Sequence, residues 1–253
     1  MKAIFLTDTG RIRQRNEDNG GIFTNSTGDC LAIVADGMGG HNAGDVASKM
    51  TVDLFNQSWE SSLKFNTAES AENWLNERIS EVNLTLFEHA NNHAECEGMG
   101  TTLVAAIFTA DFATIANIGD SRCYILNENG FQQITEDHSL VNELVKTGII
   151  SKEDADSHPR KNVVLKALGT EQKIEADIKT ILIEDGDYLL LCSDGLSDKI
   201  TEIQMREVLE TDNTIEVKAQ TLIDMANQNG GEDNITIILI EISADAESRC
   251  SEC

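Results

Sequence analysis

The chain has 253 residues, 40% hydrophobic and 25% charged, ordinary proportions for a globular protein with a substantial core. Its 44 acidic side chains outnumber 19 lysines and arginines, and the net charge of −25 argues against nucleic acid or anionic membrane surfaces as partners. No run approaches membrane-spanning length and the apolar stretch near the N-terminus is too short for a signal-peptide core, so a cytoplasmic protein with reduced thiols is expected.

In chain order, apolar and β-branched runs predict strands at 2–7, 30–35, 102–109, 112–118, 122–127, 178–183, 187–192 and 234–242. Helical periodicity predicts a helix over 43–57, with Val46, Met50, Leu54 and Phe55 on one face. A longer helix is expected over 69–90 with Trp74, Ile79, Val82, Leu86 and Phe87 as its apolar stripe, and shorter ones at 138–147, 201–210 and 215–228. Strands follow one another across short turns, which favours antiparallel hairpins over βαβ crossovers. Helices that are not crossovers must pack on the outer faces of the sheets. The expected class is therefore α+β: a central sandwich of two antiparallel sheets flanked by helices on both faces. A single domain over 1–245 is expected, followed by a short polar tail at 246–253. The polar segment 137–176, which has few strand signals and holds Gly148 and Pro159, interrupts the strand-rich parts as a surface excursion, a kind of segment that is often functional.

Four aspartates stand at the ends of apolar runs: Asp36 after CLAIVA, Asp120 after FATIANIG, Asp194 after YLLLCS and Asp233 just before NITIILI. A carboxylate at the edge of a core needs a partner. If the strand ends meet in space, such carboxylates repel unless protons or cations lie between them. An oxygen-only donor set without histidine spacing matches Mg²⁺ or Mn²⁺ rather than zinc or copper. Asp-Gly is also a common turn dipeptide, as Asp185-Gly186 between two strands illustrates. Glycines around Asp36, around Asp194 and before Asp233 distinguish these sites, because they let backbone approach a ligand closely. Asn234 is placed to brace a neighbouring carboxylate.

A second constellation is basic. In a chain poor in cations, GRIRQRNED crowds Arg11, Arg13 and Arg15 directly before Glu17 and Asp18. The planar guanidinium fork pairs bidentately with phosphate oxygens, although a surface ion-pair cluster would look the same in sequence. None of the cysteines is followed six residues later by arginine, which disfavours cysteine-phosphatase chemistry. Cys30, Cys123 and Cys192 read as small core residues.

The ordered series RxRNED (from Arg13), VADGMGGHNAGDVAS, GMGTTLVAA, ANIGDSRCY, LLCSDGLSD and GGEDNITIILI, running from about Thr7 to Ile240, resembles the metal-dependent serine/threonine protein phosphatases of the 2C type in their short bacterial form. The resemblance implies a β-sandwich flanked by helices and a binuclear Mn²⁺/Mg²⁺ centre. Asp36 would bridge the two ions, Gly37 would ligate through its carbonyl, and Asp194 and Asp233 would hold the first ion. Asp120, with Asp194, would bind a third, more weakly held ion. Arg13 would grip the substrate phosphate, and Glu17 and Asp18 would orient metal-bound waters. Residues 138–168 correspond to a flap beside the active site. The animal enzymes place a histidine, proposed as general acid, after the Asp-Gly pair; here Met38 follows, and His41 is the nearest weak candidate.

The implied reaction is hydrolysis of phosphoserine and phosphothreonine in proteins by a metal-activated water, with no protein nucleophile. The implied partners are phosphorylated proteins made by a serine/threonine kinase, and nothing demands more than a monomer. Two other readings share the fold: a catalytically weak phosphoprotein-binding or switch module, and a phosphatase of small phosphorylated metabolites.

Overall fold

The computed structural model describes residues 1–39, 43–156 and 158–243. His41 and the tail at 246–253, with Cys250 and Cys253, lie outside the described residues. Two antiparallel sheets form the centre. The first contains β2 (Asp18–Thr24), β3 (Cys30–Met38), β5 (Leu103–Phe108), β6 (Phe112–Ile118) and β9 (Asp177–Leu182) in that order, with the two-residue β4 (Gly100–Thr101) pairing antiparallel with the end of β3. The second runs β1 (Lys2–Asp8), β11 (Ile235–Glu241), β10 (Tyr188–Cys192), β7 (Arg122–Asn127) and β8 (Gly130–Gln133). Helices α1 (Gly44–Trp59) and α2 (Ala68–Asn92) cover the first sheet, while α6 (Glu202–Leu209) and α7 (Ile215–Gln228) cover the second. Short helices α3 (Leu140–Lys146), α4 (Lys152–Asp156) and α5 (Asp194–Ser197) complete the set. The sandwich with helices on both faces is the architecture expected from the hairpin spacing. No helix among the described residues is long and apolar enough to cross a membrane.

The period-2 alternation of strands explains the three-layered core. In β3, Leu31, Ile33 and Ala35 face the helices, packing with Phe55, Trp59, Leu75 and Ile79. Cys30, Ala32 and Val34 face the other sheet and meet Cys123, Ile125, Leu189, Leu191, Ile238 and Ile240. Strand β11 divides the same way, with Ile235, Ile237 and Leu239 turned to Leu222 and Ala226 of α7. Both central strands are therefore apolar on both faces, and this is why they read as continuous apolar runs.

Three strands escape a reading by apolar runs. Edge strands β2 (DNGGIFT) and β8 (GFQQ) need to bury less, and β4 has only two residues. Gly20 in β2 is required by close approach, since a Cβ there would meet the Phe5 ring at 2.9 Å and the Ile33 carbonyl oxygen at 2.5 Å. The buried stripe of α1 also differs from expectation. It runs through Ala47, Thr51, Phe55 and Trp59, while Val46, Met50 and Leu54 lie only partly buried at its margins. Trp59 pulls the stripe round by stacking on Phe65, with centroids 5.4 Å apart, and donating its indole N–H to the Phe23 carbonyl.

Candidate active site

At one end of the sandwich the inward faces of the strands change from apolar to polar. In β2 and β3 the inward series are Asp18, Gly20, Ile22 and Cys30, Ala32, Val34, Asp36, and the register places Asp18 directly opposite Asp36. The inward series of β10 (Leu189, Leu191) continues to Ser193, and that of β11 (Ile240, Ile238) runs back to Thr236. Asp194 then opens α5, and Asp233 precedes β11 on a turn made by Gly230 and Gly231, both at positive φ. Asp120 follows β6 through Gly119, whose φ of +101° suits glycine. The four strand-end aspartates thus gather with Asp18 at one end of the sheet–sheet gap.

The carboxylates act on one another across that gap. Burial, and then the charges of Asp18, Asp194, Asp120 and Asp233, push Asp36 well above the usual carboxylate range. Burial raises Asp18 to about 7 despite the hydroxyls that bond it, with Asp194 and Asp233 adding to the rise. Asp120 is also raised to about 7 and Asp194 to about 6, in both cases first by burial and next by a neighbouring aspartate. Glu17 rises as well, through burial, with Arg13 opposing. A charge buried without a counter-charge takes up a proton or a cation. Oδ1 of Asp194 is buried without a hydrogen-bond partner, as is Oδ1 of Asp45 nearby in the first turn of α1. Among the described residues no three His, Cys, Asp or Glu side chains already form a closed ligand cage, so the grouping is one of charge rather than of finished coordination. Its hard oxygen donors and orphaned carboxylate oxygen fit a hard divalent cation.

Hydroxyls and amides fix the carboxylates in place. Ser193 donates to Oδ2 of Asp18 at 2.7 Å and accepts from the Thr236 N–H at 3.0 Å, joining β2 of one sheet to β11 of the other. The Asp36 N–H donates to Oγ1 of Thr102 at 2.9 Å, and its carbonyl accepts from the Thr101 hydroxyl at 2.8 Å. Thr102 and Ser121 bond through their hydroxyls at 2.7 Å, linking Asp36 to the neighbour of Asp120. Gly37 is packed so tightly between Glu17 and Gly44 that a side chain would strike both carbonyl oxygens. Ser193, Thr236, Thr101, Thr102 and Ser121 carry no signal in sequence beyond their adjacency to the aspartates. Ser193→Ala should cost about 1.5–3 kcal/mol at pH 8, the usual value of a hydrogen bond to a charged group. It would be read as a lower denaturant midpoint at unchanged slope, and an unmoved midpoint would remove Ser193 from this role.

The arginine cluster is brought to the same end. Nη2 of Arg13 pairs with Oδ2 of Asp233 at 2.7 Å, while the Arg13 side chain stays about half exposed at 49%. Asn234 is the anchor: its amide nitrogen donates to the carbonyls of Thr9 and Arg15, and its amide oxygen accepts from the Glu17 N–H at 2.8 Å. Three carbonyl and amide contacts from one buried side chain thus pin the whole segment 9–17 beside Asp233. Arg11 meets the turn instead, its N–H donating to the Gly231 carbonyl. A cleft of about 830 Å³ opens from Asp120 and Asp194, walled by Arg122 and Asp137 and by Lys152 and Lys161 of the 138–168 excursion. A separate groove of about 790 Å³ over residues 57–78 contains none of these residues. Cys30, Cys96, Cys123 and Cys192 are buried, and burial pushes the Cys192 thiol to about 12, so it is no thiolate at neutral pH.

With the geometry in place, comparison with known proteins is informative. Residues 11–236 match the family model of protein phosphatase 2C. The serine/threonine phosphatase Stp of Listeria monocytogenes is 52% identical over 241 residues, 95% of this chain and 96% of that one. The crystal structure of Stp1 from Staphylococcus aureus superposes with a TM-score of 0.92 at 42% identity, covering 96% of this chain and 95% of that one. The catalytic domain of the serine/threonine protein phosphatase PstP, solved in complex with two manganese ions, matches at a TM-score of 0.83 and 30% identity over 95% of this chain and 97% of that one. The family match takes in all five gathered aspartates, Asp18, Asp36, Asp120, Asp194 and Asp233, and the chain is a phosphatase of the protein phosphatase 2C family.

Proposed function

We propose that this phosphatase hydrolyses phosphoserine and phosphothreonine monoesters in proteins, using two Mn²⁺ or Mg²⁺ ions held by Asp36, the Gly37 carbonyl, Asp194 and Asp233. A third, weaker ion would sit at Asp120 and Asp194. The observation that carries this reading is the group of buried carboxylates whose protons are held on by burial and by one another, set beside a half-exposed arginine. When bound, the ions supply Lewis acidity and bring the pKa of a water toward ~7, which dispenses with a protein nucleophile. The chain's own residues would do the rest. Arg13, half exposed beside Asp233, presents guanidinium N–H groups to the non-bridging phosphate oxygens. Glu17 and Asp18 orient water on the inner side, Asp18 from its fixed bond to Ser193.

The substrate class is supported by the serine/threonine phosphatases that the chain resembles along its length, and the choice of metal by the two manganese ions of PstP. The segment 138–168 is read as a flap over the cleft and 1–245 as one working domain. A cytoplasmic monomer acting on the products of a serine/threonine kinase fits the charge and the buried thiols. Leaving-group protonation is not assigned to a side chain: Met38 ends β3 paired with Gly100, and His41 lies outside the described residues. Purified protein should release phosphate from a phosphothreonine peptide with Mn²⁺ and stop on adding EDTA. Silence under every divalent cation would sink the reading in favour of a binding module. Faster turnover of nucleotides or sugar phosphates than of peptides would move it to metabolite substrates.

A further inference from the structure

His138 is buried, and no step of the proposed reaction uses it. Both polar groups of the Gly119 peptide are bonded to this one residue. The Gly119 carbonyl accepts from the His138 N–H at 2.8 Å, and the Gly119 N–H donates to Nδ1 of the His138 ring at 3.1 Å. Gly119 is the positive-φ turn that delivers Asp120, and a Cβ there would strike Thr102, so the turn has little freedom once held.

The same residue ties the two stems of the 138–168 excursion. Its carbonyl accepts from the Leu165 N–H at 2.7 Å, the next pair Ser139 and Val164 forms an antiparallel bridge, and the Leu140 N–H donates to the Val163 carbonyl at 2.9 Å. Because Nδ1 accepts a hydrogen bond, the ring proton sits on Nε2, which lies 3.2 Å from Oδ2 of Asp177 at the start of β9 but off the line of a formed hydrogen bond. Burial keeps the ring neutral by lowering its pKa, against the pull of Asp177. Around it, Asp137 is gripped by Arg122 through Nε and Nη2, with its carbonyl capped by the Asn142 amide. The histidine that pairs with Leu165 at the base of the excursion thus also holds the turn bearing Asp120.

We propose that His138 is a positioning residue that knots both stems of the flap to the Gly119–Asp120 turn, so that order in the flap and placement of the Asp120 carboxylate rise and fall together. The role given to Asp120 rests on the metal-dependent reading above; the knot itself does not.

Three measurements test it. In the wild-type protein, ring ¹⁵N shifts should show Nδ1 unprotonated and coupled to the Gly119 amide; a protonated Nδ1 overturns the proposal even if no variant folds. His138→Leu removes the acceptor, while His138→Asn puts an amide oxygen close to where Nδ1 stood. The leucine variant should weaken only the weakest step of a calorimetric Mn²⁺ titration by about tenfold, the scale of losing a residue that orients a ligand. It should also speed trypsin cleavage within 147–163 by about tenfold through local opening, and the asparagine variant should recover most of both. A folded leucine variant that changes neither quantity, or only one of them, overturns the coupling. If the wild-type protein bound no Mn²⁺ at all, the functional reading would fall, and the cleavage and ring measurements would still decide the knot.

Discussion

Asp36→Asn is expected to abolish phosphate release while raising the melting temperature of the metal-free protein. The two effects have one cause. Asp36 stands opposite Asp18 and feels Asp194, Asp120 and Asp233, so its charge is the least tolerable of the group without a cation and the most useful with one. Replacing it by the isosteric amide removes a ligand shared by both proposed ions. Losing even 4 kcal/mol of their stabilisation slows the reaction on the order of 10³-fold. The same change puts a permanently neutral amide where a carboxyl must take up a proton to fold at neutral pH, and supplies an N–H₂ donor to the remaining carboxylates, relief of about 1–2 kcal/mol that corresponds to roughly 2–8 °C for a chain of this size. Asp194→Asn should behave similarly. Asp185→Asn should leave both activity and melting temperature near wild type, because Asp185 lies on an exposed turn between β9 and β10. Equal loss of activity at Asp185, or a metal-free Asp36→Asn protein that melts lower, would show that turn aspartates had been mistaken for ligands.

The second large effect is on pH. In EDTA the protein should lose stability as pH rises from 5 to 8, and saturating Mn²⁺ should flatten or reverse the trend. Asp18 and Asp120 are raised from 3.8 to about 7 and Asp194 to about 6. A folded-state pKa above the unfolded one means that the folded protein binds the extra proton. That contribution to stability is complete below about pH 4 and disappears as pH climbs through 6 to 7. For one group with the Asp18 rise, the loss between pH 5 and 8 is on the order of 3 kcal/mol, or roughly 6–12 °C. His138 works in the opposite direction over the lower part of this range, since a ring kept neutral by burial favours folding increasingly as pH rises toward 6.5 and adds nothing further above it. It is one group against several. A melting temperature in EDTA that stayed level or rose from pH 5 to 8 would mean the carboxylates are not held protonated.

The legibility of this chain differs between its centre and its margins. Strands β3, β6, β10 and β11 were readable because both of their faces are buried, which leaves an uninterrupted apolar run. Edge strand β2 was not, although it carries Asp18 opposite Asp36: it opens on Asp-Asn-Gly-Gly, a turn-like run, and only Ile22, Phe23 and Thr24 have strand character. Helix α3, expected over 138–147, starts two residues later because Ser139 caps it, accepting from the Asn142 N–H. The cluster of Arg11, Arg13 and Arg15 was visible as cations crowded together in a cation-poor chain, and only the family resemblance chose Arg13 among them.

The sequence by itself determined the class of the fold, the polar ends of the apolar runs, and the order of motifs that marks the family. It could do so because burial on both strand faces and glycine-flanked turns leave local patterns. Only the tertiary structure decided which of the strand-end aspartates share a gap, and that Ser193, Thr236, Thr102 and Ser121 hold them there. It also decided that Asn234 ties the arginine segment to Asp233, and that His138 joins the base of the excursion to the Asp120 turn. Each of these contacts joins segments tens to hundreds of residues apart, and serine, threonine or histidine beside an aspartate has no periodicity to betray it. The strand ends became a site because the two sheets stack with their polar ends together, and stacking is a property of both sheets at once.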